Sequence, residues 1–134
     1  MRKTFNFNNS WIFENSEVCL PHSAVELPFN YFDESIYQKE FTYEKIINQK
    51  ASWNDKEVCL VFEAIMANAH IYLNDKKIVS HTDGYTPFIA RLTDELKKGE
   101  NKLRVKIDGS ENPSIPPFGG RIDYLTYAGI YRDV

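Results

Sequence analysis

No apolar run in the 134-residue sequence approaches the roughly 18 residues that a membrane-crossing helix requires. A membrane partner is therefore not expected. Met1 to Ser10 (MRKTFNFNNS) carries the charges of Arg2 and Lys3 but no apolar stretch of the kind that forms a secretory leader, which points to a cytoplasmic protein. Charge of one sign is missing as well. Sixteen basic residues are interleaved with nineteen acidic ones and the net charge is -3, so no stripe tracks a phosphate backbone and nucleic acid is not an expected partner. Cysteine is scarce: Cys19 and Cys59 each sit in an EVCL run, where a small thiol is expected to pack as a buried hydrophobe on a strand and, without an export signal, to stay reduced. Neither has a His at zinc-ligand or catalytic spacing. His22, His70 and His81 share no such spacing either, so no metal site, thiol nucleophile or cofactor is expected in this chain.

Large apolar side chains, in contrast, are present. The 43% hydrophobic and 14% aromatic content, with nine Phe and eight Tyr, supplies one core for one domain over residues 1–134. Apolar and β-branched runs recur at short spacing between turn residues, and no stretch holds a helical period for long, so an all-β sandwich or barrel is predicted. The clearest strands are Ser35 to Tyr43, Glu57 to Ala64, Ala69 to Leu73, Lys77 to His81 and Lys102 to Ile107. In the last, Leu103, Val105 and Ile107 alternate with Lys102, Arg104 and Lys106, one face buried and one wet. Asn74-Asp75-Lys76 predicts a hairpin turn, because Asn and Asp tolerate the left-handed conformation. His70, next to Ile71 on that hairpin, is expected to face solvent or a polar neighbour. Thr93 to Leu96 suggests a helical turn capped by Thr93 and closed by a left-handed Gly99. Prolines 113, 116 and 117, followed by Gly119 and Gly120, make a long loop from Asp108 to Gly120 before the strand-like Gly129 to Val134. The chain stops inside that strand pattern, as a truncated piece would.

Four segments occur in the order found in the N-terminal sugar-binding domain of family 2 glycoside hydrolases. VCLPHSAVELPFNYFDESIYQKEF (Val18 to Phe41) is similar to that family's LPH opening, and IYLNDKKIVSHTDGYTPF (Ile71 to Phe88) resembles its YLNG hairpin and GGY-x-PF turn, with Asp75 and Asp83 where the family often has Gly. LTDELKKGENKLRVKID (Leu92 to Asp108) resembles its GEN-x-L-x-V run. The terminal GIYRDV of PPFGGRIDYLTYAGIYRDV (Pro116 to Val134) matches the family's most specific signature. The resemblance implies a jelly-roll β-sandwich, galactose-binding-domain-like, that abuts an immunoglobulin-like domain and a TIM barrel carrying two catalytic glutamates. It implies a parent enzyme that is a retaining β-glycosidase acting on a β-galactoside or β-glucuronide. This domain itself is expected to be non-catalytic: Asp33-Glu34 and Asp94-Glu95 are adjacent in sequence, whereas retaining hydrolysis needs two carboxylates about 5 Å apart across the sugar.

Asp123 lies six residues before Gly129, where the family's β-galactosidases and β-glucuronidases place a carboxylate that reaches the sugar. In the β-galactosidases that Asp also helps hold a sodium ion, a role the resemblance extends to Asp123 only in the full enzyme. The alternative for Asp123 is a turn residue bonding the backbone near Gly119 and Gly120. Tyr124 and Tyr127 line the same mouth or are ordinary sandwich aromatics. Arg132 and Asp133 are expected to form structural ion-pair contacts with a neighbouring domain, and Gly84 to permit the turn after Asp83 by taking positive φ. Trp11 is expected to plug the N-terminal segment onto the sandwich, while Trp53, in the polar turn KASWND, is the aromatic to test for sugar stacking. Three roles follow: an accessory domain of a larger hydrolase, a free-standing carbohydrate-binding module, and an interdomain or homo-oligomer contact domain.

Overall fold

The computed structural model describes residues 1–26, 34–36, 38–110, 112, 114 and 128–134. Among them eight strands form two antiparallel sheets. The strands are β1 (Trp11–Phe13), β2 (Ser16–Val18), β3 (Glu40–Asn48), β4 (Cys59–Phe62), β5 (Asn68–Leu73), β6 (Lys76–His81), β7 (Phe88–Arg91) and β8 (Glu100–Asp108). The larger sheet runs in the order β2-β1-β3-β8-β5-β6, and β4 pairs with β7 in the smaller.

Period-two alternation explains the layers. Leu103, Val105 and Ile107 of β8, Ala69, Ile71 and Leu73 of β5, and Phe41, Tyr43 and Ile47 of β3 point inward. They join Leu60 and Phe62 of β4 and Ala90 of β7 in a single core cluster. The architecture is the expected sandwich. β3 and β8 pair over nine residues, from Glu40↔Asp108 at one end to Asn48↔Glu100 at the other, so the molecule has two well-separated ends.

Several sequence-based boundaries move. Ser35 and Ile36 belong to a 3-10 turn, Glu34–Ile36, and the strand expected from Ser35 begins only at Glu40. It then continues to Asn48 because β8 offers a partner along that whole length. β1, β2 and β7 were not expected from the sequence. They are three or four residues long and owe their existence to cross-strand partners rather than to their own pattern. The β1–β2 hairpin closes through Glu14 (φ 47°) and Asn15 (φ 64°), and the β5–β6 hairpin through Asn74 (φ 50°) and Asp75 (φ 67°). Both are two-residue turns with two left-handed positions, the twist-matched kind. Lys76 therefore belongs to β6, opposite Leu73.

Gly99 is left-handed as expected, at φ +83°, but Thr93 does not cap a helical turn. Its hydroxyl instead accepts from the Val58 amide at 2.9 Å, tying the turn to the start of β4. Both cysteines are exposed free thiols, contrary to the buried reading, because Leu60 and Phe62 set the inward phase of β4 and turn Cys59 outward. Asn101 is a buried polar residue that the sequence did not flag. Its amide donates to Lys97 O (2.8 Å) and Gly99 O (3.0 Å) and its oxygen accepts from Lys97 N and Asn74 Nδ2, which locks the Gly99-Glu100-Asn101 turn against the β5–β6 hairpin. His70 meets its polar neighbour, Ser80 Oγ, at 2.8 Å.

Candidate functional site

Asp123, Tyr124 and Tyr127 lie outside the described residues, as do most of the Asp108 to Gly120 loop and Asp33. The described segment that follows them, Ala128 to Val134, is held from three sides. On one side Ala24 N donates to Ala128 O (2.6 Å) and His22 N to Ile130 O (2.8 Å). On another, Gly129 and Met66 exchange both backbone bonds at 3.0 Å as an isolated antiparallel bridge, and Glu63 N donates to Asp133 O. The third side is the N-terminal segment: Phe7 N donates to Val134 O (2.8 Å), while the Asn8 side chain accepts from Val134 N (2.9 Å) and donates to Asp133 Oδ1 (2.8 Å). The strand-like reading of this terminus thus becomes a strap threaded between two walls rather than a full ladder strand.

The sequence of the strap follows from that position. Gly129 has φ +138°, and a Cβ there would stand 2.7 Å from His22 O and 2.8 Å from Ala24 N, both backbone atoms that cannot swing aside. Ala128 and Ile130 flank it and are fully buried. The Tyr131 hydroxyl donates to Gly84 O, and the Arg132 guanidinium lies 5.7 Å over the Tyr131 ring. Within the domain the Asp133 carboxylate accepts from the Asn8 amide. Gly84 does not take the positive φ expected of it; a Cβ there would meet Met66 Sδ at 2.5 Å, the end of a flexible side chain.

Beneath the strap lies a polar pair to which sequence reasoning assigned no role. Tyr43, fully buried on β3, receives the Ile130 amide at its oxygen and meets His22 Nδ1 at 2.7 Å. His22 Nδ1 accepts the phenol proton when the ring is neutral with its own proton on Nε2. Burial favours the neutral form of each partner, holding the His22 pKa below its ordinary value and raising that of Tyr43 well above its own. His22 stands in the LPH motif, and that motif was the available signal. Beside the strap, His81 stacks on Phe88 (4.4 Å) and Phe88 on Phe62 (5.1 Å), while Asp83 Oδ1 accepts from Tyr85 N in the turn above Met66.

Chemically, this arrangement is a rigid mount. It fixes the backbone within five residues of Asp123 through main-chain bonds and buried apolar contacts. Among the described residues no three His, Cys, Asp or Glu side chains gather as a metal site would require.

The family described as glycosyl hydrolases family 2, sugar binding domain, matches residues 3–134. The chain belongs to that family. Its sandwich is therefore the jelly-roll, galactose-binding-like fold that the sequence resemblance implied. This sugar-binding domain is 46% identical to a β-galactosidase of Rhizobium meliloti, over the whole of this chain and 19% of the relative. A β-galactosidase of Thermoanaerobacterium thermosulfurigenes is 42% identical, again over the whole chain and 21% of the relative. Among solved structures, a Bacteroides uniformis β-glucuronidase superposes with a TM-score of 0.84 at 27% identity, covering 99% of this chain and 17% of the other. The chain thus spans about one fifth of the length of the curated relatives it matches.

Proposed function

We propose that this sugar-binding domain serves a larger retaining β-glycosidase as a non-catalytic accessory domain that presents Asp123 to the substrate. The supporting observation is the strap. A carboxylate used for recognition must be placed to within a fraction of an ångström, and residues 128–130, which follow it closely, are pinned to His22, Ala24 and Met66 by backbone bonds. An Asp suits the task because each of its oxygens accepts sugar hydroxyls through charge-assisted bonds, which strengthen once water is excluded. Tyr124 and Tyr127 line the same mouth. The higher identity to β-galactosidases favours a β-galactoside over a β-glucuronide as the substrate. The immunoglobulin-like and TIM-barrel domains are the partners of this role, and the barrel supplies both catalytic glutamates. A carboxylate oxygen is the donor type that a hard cation takes, but Asp123 alone does not make up a sodium shell, so no step is assigned to that ion within this domain.

The test uses the full-length enzyme. Asp123→Ala should lower kcat/KM for a nitrophenyl β-galactoside by roughly a hundredfold, the loss of about 3 kcal/mol expected for one charged acceptor in a closed site. The 134-residue chain by itself should hydrolyse none. Full activity in Asp123→Ala, or enzyme-like turnover by the isolated chain, would overturn the proposal.

A further inference from the structure

The long β3–β8 pairing separates two ends of the sandwich. β8 ends at Asp108, while Asn48 and Glu100 mark the other end, eight strand steps or about 27 Å away. At that far end the chain folds a cleft of about 650 Å³ around Trp53. A volume in the range of about 300–1,000 Å³ is typical of small-ligand sites.

Trp53 sits between two environments. It packs against the core cluster, yet it is only half-buried and lines the cleft. Its loop is held by its own bonds: Trp53 N donates to Lys50 O (2.9 Å), Lys56 N to Trp53 O (3.1 Å) and Lys56 Nζ to Ser52 O (2.7 Å). Gln49 Nε2 donates to Asn54 Oδ1 at 2.9 Å, which fixes that amide beside the indole. Around the ring stand exposed donors and acceptors of both signs. Arg91, Lys56 and Lys98 are set against Asp55 and Glu57, with Arg91 Nε 3.5 Å from Glu57 Oε1, and Lys50 Nζ lies 5.8 Å from the centroid of the indole ring. An indole flanked by donors and acceptors of both signs matches a ligand with apolar C–H faces and hydroxyl edges.

We infer that the Trp53 cleft is a second carbohydrate subsite, taking a pyranose ring against the indole, with hydroxyls bonded by Asn54, Asp55 and Arg91. It lies at the Asn48–Glu100 end of the β3–β8 pair, opposite Asp108. The cleft would let the domain hold a second residue or a second chain of a glycan while the first occupies the catalytic mouth.

Tryptophan emission reads this site directly, because Trp11 is fully buried with its Nε1 bonded to Phe7 O, leaving Trp53 as the responsive indole. Lactose or cellobiose titrated into the chain should shift the emission saturably, with half-saturation on the order of 1–10 mM for one stacked ring and a few hydrogen bonds in an open cleft. Trp53→Ala should abolish the shift, and Arg91→Ala and Asn54→Ala, both at exposed positions, should weaken binding severalfold when followed by the same emission. Asp123→Ala should leave it unchanged. The inference fails if neither disaccharide moves the emission of the unaltered chain, if Arg91→Ala and Asn54→Ala both bind as before, or if Asp123→Ala removes the response.

Discussion

Gly129 shows how much one missing side chain can decide. Its φ of +138° and its approach to two backbone atoms at under 3 Å leave no relaxation that accommodates a methyl group. Gly129→Ala should therefore lose about 3 kcal/mol of stability, measured as a lower urea midpoint at an unchanged slope. An unshifted midpoint would contradict the geometry. The His22–Tyr43 pair makes a different prediction. Burial holds the folded His22 below its ordinary value of 6.5, so the unfolded chain takes up the proton first as pH falls. Stability should be full above that value, decline as pH drops through it, and level off below the folded pKa. His70 is shifted in the same direction by desolvation and Lys77, so the comparison that isolates His22 is the difference between the unaltered chain and His22→Gln across about pH 5 to 8. A parallel pH dependence in the two would show that His22 is not the group responsible.

The elements reveal why some signals in the sequence were readable and others were not. Asn74-Asp75 predicted a hairpin because few residues tolerate consecutive left-handed positions, and the turn is where it was expected. Asp75 occupies a position where glycine is cheaper, and its ion pair with Arg104, at 3.4 Å with the Asp side chain 81% exposed, contributes little in solvent. Asp75→Gly should raise stability by about 0.5 kcal/mol and Asp75→Val should lower it by about 1–2 kcal/mol, both read from thermal midpoints. A stabilising Val would refute the left-handed turn. The Glu14-Asn15 hairpin uses the same geometry but was missed, since Glu is no turn residue and β1 is only three residues long. β3 was placed five residues too early because its own pattern does not mark where pairing with β8 begins.

For the whole molecule, the strap from Ala128 to Val134 closes the fold by tying the N-terminal segment, the His22–Ala24 stretch and the end of β4 to one another. Ala128 and Ile130 also belong to the core cluster. Deleting residues 128–134 should therefore abolish cooperative unfolding. Near-ultraviolet circular dichroism should lose the signal of the packed aromatics Trp11 and Tyr43 while strand content persists in part. A sharp two-state transition in the truncated chain would show that the strap is dispensable. The family signature GIYRDV was thus correctly located in the sequence, but its purpose was not legible there, because its partners lie 47 or more residues away.

Patterns of local origin were determined by the sequence alone: the inward faces of β5 and β8, the Asn74-Asp75 turn, the left-handed Gly99, and, through four ordered segments, the family. Each depends on period-two alternation, on backbone sterics or on contiguous motif residues, all of which are expressed within a few positions. Only the tertiary structure decided that the two cysteines face outward, that Thr93 bonds Val58 instead of capping a turn, and that Gly129 is a glycine for lack of room. It also brought His22 to Tyr43 and set Trp53 in a cleft at the end opposite the Asp108 loop. Those outcomes depend on which distant strand supplies the neighbour, a choice made by packing the whole core and carried by no single stretch of the chain.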